Sequence, residues 1–132
     1  MKNSMLSILM VVTWSMFNSA IAQENISQPK LIALKFHADW CGSCKAMGPV
    51  FEDLSNKLDG KPVLFYKLDF TNNTTKHQSV MMASALGLDE ALKENQGTGF
   101  ILLIDPKSKK VLQKFTKDDG LKSIAGKING YL

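Results

Sequence analysis

Two cysteines, Cys41 and Cys44, stand at the point where the sequence pattern changes from strand to helix, and they are the only two in the chain. Before them, Leu31 to Phe36 is a short, almost unbroken apolar run of strand length. After them, Lys45, Ala46, Met47, Val50, Phe51, Leu54 and Leu58 recur at spacings of three and four, which predicts a helix from about Cys44 to Leu58. The first turn of a helix carries N–H groups without intrahelical partners and a partial positive charge, so a dithiol there is biased toward thiolate. A cysteine in such a CxxC pair titrates at roughly 3.5 to 7.5, against about 8.5 for a free thiol. Cys41 is therefore the expected attacking sulfur. Cys44, close to one helical turn later, faces the same side and can attack a mixed disulfide formed on Cys41.

Other uses of a CxxC pair fit less well. A closed zinc site needs four ligands, and beyond the two cysteines only His37 and His77 remain, at a spacing that makes no HxxxH-type pair. Haem attachment requires histidine after the second cysteine, where Lys45 stands. A purely structural bridge across so short a loop removes little entropy from the unfolded chain. Redox activity is the expectation, with no metal and no cofactor.

The N-terminus reads as an export signal. Lys2 is followed by an apolar stretch from Met5 to Phe17 and by Ala20-Ile21-Ala22 before Gln23, the pattern of a cleaved signal peptide over residues 1–22. The apolar stretch is shorter than the ~20 residues that span a bilayer. One domain is then expected over residues 23–132. All basic residues are lysines, scattered along the chain, which argues against nucleic-acid binding. Four of the seven methionines fall within the leader, and the other three, Met47, Met81 and Met82, are read as core or site-rim residues rather than metal ligands.

The remaining elements follow from periodicity and punctuation. Val63 to Asp69 is a strand; residues 70–75 form a polar loop holding a helix cap; Lys76 to Leu86 is a helix with Val80, Met81, Ala83 and Leu86 as its apolar side, stopped by Gly87. A short helical turn is expected over Asp89 to Asn95. Phe100–Asp105 and Lys110–Phe115 are strands joined by a Pro106-containing turn, and a last helix runs from about Asp119 to Tyr131. His77, in the first turn of its helix, reads as a solvated residue.

The run Ala38-Asp39-Trp40-Cys41-Gly42-Ser43-Cys44-Lys45, with Pro49 five residues on, resembles the active site of the thioredoxin superfamily, above all its small exported members. That resemblance implies an α/β, thioredoxin-like fold: a central mixed sheet, parallel strands first and an antiparallel hairpin at the end, flanked by helices. It implies a monomeric periplasmic thiol–disulfide oxidoreductase acting on protein substrates and served by a membrane-bound redox donor. Because the chain lacks room for the large helical insertion of the strongly oxidising relatives, a reductase or isomerase is expected. The alternative, from a different class, is a thioredoxin-fold binding protein or metallochaperone that uses the CxxC pair as ligands or as a bridge.

Further residues take roles only through the resemblance. Trp40, Gly42 and Ser43 would shape the site. Lys35 falls where many relatives carry a buried aspartate beneath the dithiol; pointing inward it would favour the thiolates while losing its own proton more easily, and pointing outward it would be an ordinary strand residue. Lys67 falls where relatives often carry a lysine near the site, and is as readily a solvent-facing strand residue. Thr98 and Gly99 align with the substrate-docking loop, Gly99 standing where relatives carry a cis-proline. A cis bond before a non-proline residue costs about 2.5 to 4 kcal/mol, so the Thr98–Gly99 bond is expected to be trans.

Overall fold

The computed structural model describes residues 28–132. The expected signal peptide, residues 1–22, and the boundary after Ala22 lie outside the described residues. In chain order the elements are β1 (Leu31–His37), α1 (Gly42–Lys57), β2 (Val63–Asp69), α2 (Asn73–Ala85), α3 (Asp89–Glu94), β3 (Phe100–Ile104), β4 (Val111–Thr116) and α4 (Leu121–Tyr131).

Side chains alternate across a strand, so each strand of a doubly covered sheet feeds two cores. In β1, Leu31 and Ala33 point to one face, where Met47 and Leu54 of α1, its C-cap Leu58, and Ile124, Ala125 and Ile128 of α4 pack. Ile32, Leu34 and Phe36 point to the other, against Leu68, Ala83 of α2 and Ala91 of α3. The strand order is β2-β1-β3-β4. The β1–β2 pair is parallel, and β1–β3 and β3–β4 are antiparallel. This is the expected mixed sheet. Its two central strands are the apolar runs, buried along almost their whole length.

Two local departures have simple causes. Helix α1 starts at Gly42 rather than Cys44, because Cys41 itself is the N-cap: its backbone is extended and its sulfur accepts the Cys44 N–H. Helix α2 starts at Asn73, because Asn72 and Thr75 form a capping box. Its buried side is the expected one only in part: Ala83 is core and Leu86 packs against it, but Val80 and Met81 do not. Ser79 and Ala83 face the sheet, while Val80, Met81 and Met82 are exposed. Of the three methionines, only Met47 is core.

Candidate active site

The C-terminal end of β1, the N-terminus of α1 and the segment entering β3 meet at one edge of the sheet. Cys41 is half-buried and Cys44 is 1% exposed, and both are free thiols. The Cys44 N–H donates to Cys41 Sγ at 3.3 Å, while Cys44 Sγ accepts from Ala38 N–H at 3.4 Å and lies 3.6 Å from the Phe36 carbonyl oxygen. The two sulfurs are driven apart electrostatically. Partial burial pushes Cys41 up, but hydrogen bonds from the Cys44 thiol, the Thr98 hydroxyl and the Cys44 and Ser43 amides outweigh it, leaving its pKa below the ordinary value. Burial dominates at Cys44; with its thiol donating toward Cys41, its pKa is raised. One sulfur is poised to attack, and the other is held in reserve.

Gly99 closes the site from the opposite side. Its amide donates to the Phe36 carbonyl at 2.8 Å, and its φ is +90°, a region that side chains rarely adopt. A Cβ there would stand 2.7 Å from Ser43 Cβ and 3.3 Å from Cys41 Sγ. No cis peptide occurs among the described residues, so the Thr98–Gly99 bond is trans as expected. Glycine thus brings the backbone against the dithiol by having no side chain.

Trp40 covers the rim, 68% exposed. It is held by a polar brace that the sequence did not reveal. Trp40 Nε1 donates to the Thr71 carbonyl at 3.1 Å, and the Asp39 amide donates to Thr71 Oγ1 at 3.0 Å. The Thr71 amide and hydroxyl in turn donate to Asp69 Oδ1. The Thr71 hydroxyl, above all, holds the Asp69 carboxyl below its ordinary pKa. Buried Ser79 accepts from the Asp69 amide and donates to its carbonyl, at 2.7 and 2.8 Å. Thr71 of the β2–α2 turn thereby sets the angle of a side chain 31 positions earlier.

The remaining expected site residues divide. Lys35 points inward, beneath α1, and is 4% exposed. Lys67, its register partner on β2, is exposed, and its charge bears on Lys35 and Asp69. Gly42 is exposed, and a Cβ there would meet nothing, so no packing requirement makes it a glycine. His77 is exposed. His37 Nε2 lies 3.0 Å from Asp39 Oδ1. Among the described residues no group of three or more His, Cys, Asp or Glu side chains is arranged to hold a metal ion.

A family model described as thioredoxin matches residues 8–88, more than half of the chain. The chain belongs to the thioredoxin family. It is 34% identical over 98 residues to a thioredoxin of Borreliella burgdorferi, covering 74% of this chain and 73% of that protein. It is 43% identical over 51 residues to the thioredoxin of Malassezia sympodialis, covering 39% of this chain and 49% of the relative. The chain spans about half the length of this and another of the curated thioredoxins that it matches. The crystal structure of Malassezia sympodialis thioredoxin superposes with a TM-score of 0.50 over 80% of each chain at 24% identity, a likeness of fold.

Against that thioredoxin framework, a groove of about 490 Å³ opens beside Trp40. Phe36 and Phe70 supply aromatic surface, stacked at 5.6 Å, and Thr98 connects the groove to the dithiol. Leu92 and Lys93 of α3 form a further wall. Sequence reasoning missed this use of α3, since a helix of six residues carries no periodic signal of what it will face.

Proposed function

We propose that this thioredoxin-family chain is an exported thiol–disulfide oxidoreductase that reduces or isomerises protein disulfides in the periplasm and is returned to its dithiol form by a membrane-bound donor. The observation that carries the reading is the asymmetry of the pair: the more exposed sulfur has the lowered pKa, and the buried one the raised pKa. A nucleophile must be both accessible and ionised, whereas a resolving thiol need only reach the first sulfur.

The Cys41 thiolate attacks one sulfur of a substrate disulfide; the substrate S–S bond breaks, and the departing thiolate takes the electron pair and then a proton. Cys44, deprotonated in its turn, attacks Cys41 Sγ, forms the Cys41–Cys44 disulfide and releases the second substrate thiolate. Thr98 and Gly99 line the approach, and the groove beside Trp40 is the surface on which the polypeptide flanking the substrate cysteine would lie. Two electrons pass from protein to substrate, and a donor must restore them.

The preference for reduction or isomerisation is supported by what stands between β2 and β3, which is α2 and the six-residue α3 rather than a large helical insertion. Export is supported by the leader-like pattern of residues 1–22. N-terminal sequencing of the protein from a periplasmic extract should begin at Gln23. Insulin reduction with a dithiol donor tests the chemistry: wild type should turn over, Cys41→Ser should be inactive, and Cys44→Ser should accumulate a mixed disulfide with its substrate. A wild-type protein that does not cycle, and retains metal or a bridge that resists dithiothreitol, would replace the enzyme with the binding module.

A further inference from the structure

The groove beside Trp40 is more elaborate than disulfide exchange requires. Any surface that lets a polypeptide approach Cys41 would serve the chemistry, but this one has an aromatic floor and two walls of matching composition. Phe36 forms the floor, stacked on Phe70 at 5.6 Å and on Phe100 at 4.6 Å. On one side, Lys76 and Val80 of α2 stand four residues apart and so share a helix face. On the other, Asp89, Leu92 and Lys93 of α3 share a face in the same way. Each wall thus offers one apolar side chain and one lysine.

The apolar part is open to water. Trp40 and Val80 are two of the five large apolar side chains left exposed among the described residues, at 68% and 39%. The lysines are free as well: neither Nζ makes a hydrogen bond or an ion pair among the described residues. Asp89, the one carboxylate of the lining, accepts from Ser84 Oγ. Two positive charges against one negative favour an anionic occupant. A second copy of this chain, with a formal net charge of +4, is a poorer match. Thr98 belongs both to the groove and to the hydrogen bonds of Cys41. A polypeptide joined through its cysteine to Cys41 therefore passes the groove with the residues that border that cysteine.

We propose that the groove is a specificity pocket: it takes a bulky apolar side chain lying within about three residues of the substrate cysteine, with a carboxylate beside it that Lys76 and Lys93 attract. The preferred partner is a disulfide-bearing polypeptide with an apolar and an acidic residue next to its cysteine. This rests on the oxidoreductase reading above and adds to it which disulfides are chosen. Burial of the apolar side chain against Val80, Leu92 and the Phe36 floor supplies affinity. The lysines, on an exposed rim, set the choice between acidic and basic neighbours, an effect that salt screens.

Short peptides joined to 2-mercaptoethanol through their one cysteine test this, with dithiothreitol as donor. The cysteine is flanked as Glu-Leu-Cys-Leu-Glu, Lys-Leu-Cys-Leu-Lys or Glu-Ser-Cys-Ser-Glu. Each kcat/KM is divided by the rate at which dithiothreitol alone reduces that peptide, which removes differences in intrinsic reactivity. The Glu-Leu peptide should exceed the Glu-Ser peptide roughly tenfold. It should exceed the Lys-Leu peptide about threefold at low salt, with the gap closing at high salt. Lys76→Glu combined with Lys93→Glu should reverse the order of the acidic and basic peptides, and Val80→Ser should lessen the advantage of leucine over serine. Lys122→Glu, on α4 at the other face of the sheet, should leave both ratios as in wild type. All four positions are exposed, so the fold tolerates each change. Reduction of the three peptides at one normalised rate would overturn the pocket and leave the oxidoreductase reading standing, whereas failure to reduce any of them would overturn both. An effect of Lys122→Glu equal to that of the groove pair would trace the charge preference to net charge and overturn the role of the two lysines. Discrimination that disappears at protein concentrations where sedimentation shows a dimer would give the groove to a second copy of the chain and overturn the proposal.

Discussion

Two glycines near the dithiol share a positive φ and differ in what surrounds them. Gly99 has φ +90° and would press a Cβ to 2.7 Å from Ser43 and 3.3 Å from the Cys41 sulfur; Gly97 has φ +101° with nothing within 4 Å of that position. An L-residue at either site is strained by roughly 1 to 3 kcal/mol. Only at Gly99 does the added carbon also displace the nucleophile. Gly97→Ala should therefore lower the urea midpoint while leaving insulin turnover near the wild-type rate, whereas Gly99→Ala should lower both. Equal loss of activity in the two variants would mean that backbone strain, not the close approach to Cys41, is what the glycine relieves. The trans Thr98–Gly99 bond was legible from the sequence, because it follows from local chemistry, as was the part of the Cys41 pKa lowering that comes from Cys44 and Ser43; the part from the Thr98 hydroxyl was not. The inward turn of Lys35 was not: a charged residue in an apolar strand can lie on either face, and only the coverage of both faces of β1 decides it.

At the scale of elements, strand, helix, strand, helix and hairpin could be read from periodicity, and every strand lies within a residue of its expected bounds. What periodicity could not supply were the junctions. The start of α1 depends on a sulfur acting as cap, and the start of α2 depends on Asn72 and Thr75 bonding reciprocally across three residues. The same turn contains Thr71, which holds Trp40 and the Asp39 amide through long-range hydrogen bonds that no local pattern announces. These two functions of the β2–α2 turn should be separable. Asn72→Ala removes a cap worth about 1 kcal/mol and should lower stability without moving the Trp40 emission, read in a chain that begins at Gln23 and so carries Trp40 as its one tryptophan. Thr71→Val keeps the carbonyl bonded to Trp40 but loses the hydroxyl that links Asp69 to the Asp39 amide. It should cost a similar amount and also raise the solvent quenching of Trp40. A tryptophan signal unchanged in Thr71→Val would show that the carbonyl alone fixes the ring.

For the molecule as a whole, β1 and β3 each feed both cores, so neither layer can loosen without disturbing the other. Leu34→Ala in one core and Leu103→Ala in the other, both at fully buried positions, should each cost about 2 to 5 kcal/mol, a large share of the roughly 5 to 15 kcal/mol that holds such a domain. Circular dichroism and Trp40 fluorescence should report one coincident transition in both variants. The pH dependence of that transition is set by charges at opposite ends of the scale. Asp69 has a lowered pKa, so it contributes stability above its ordinary value of 3.8 that is lost as pH falls through the folded value. Lys35 has a lowered pKa for the opposite reason, burial of a cation. The unfolded chain binds more protons than the folded one between its folded value and 10.5, so stability should rise with pH across that window. In the disulfide form no thiolate is present to offset the buried ammonium or to titrate beside it. Urea denaturation of the oxidised protein should then move to higher midpoints as the pH enters the alkaline window. Lys35→Met should remove that rise and be more stable at neutral pH, since it replaces a largely buried lysine with an apolar side chain of similar length. A wild-type midpoint that falls steadily through the same window, with Lys35→Met parallel to it, would place the ammonium in water rather than beneath the dithiol.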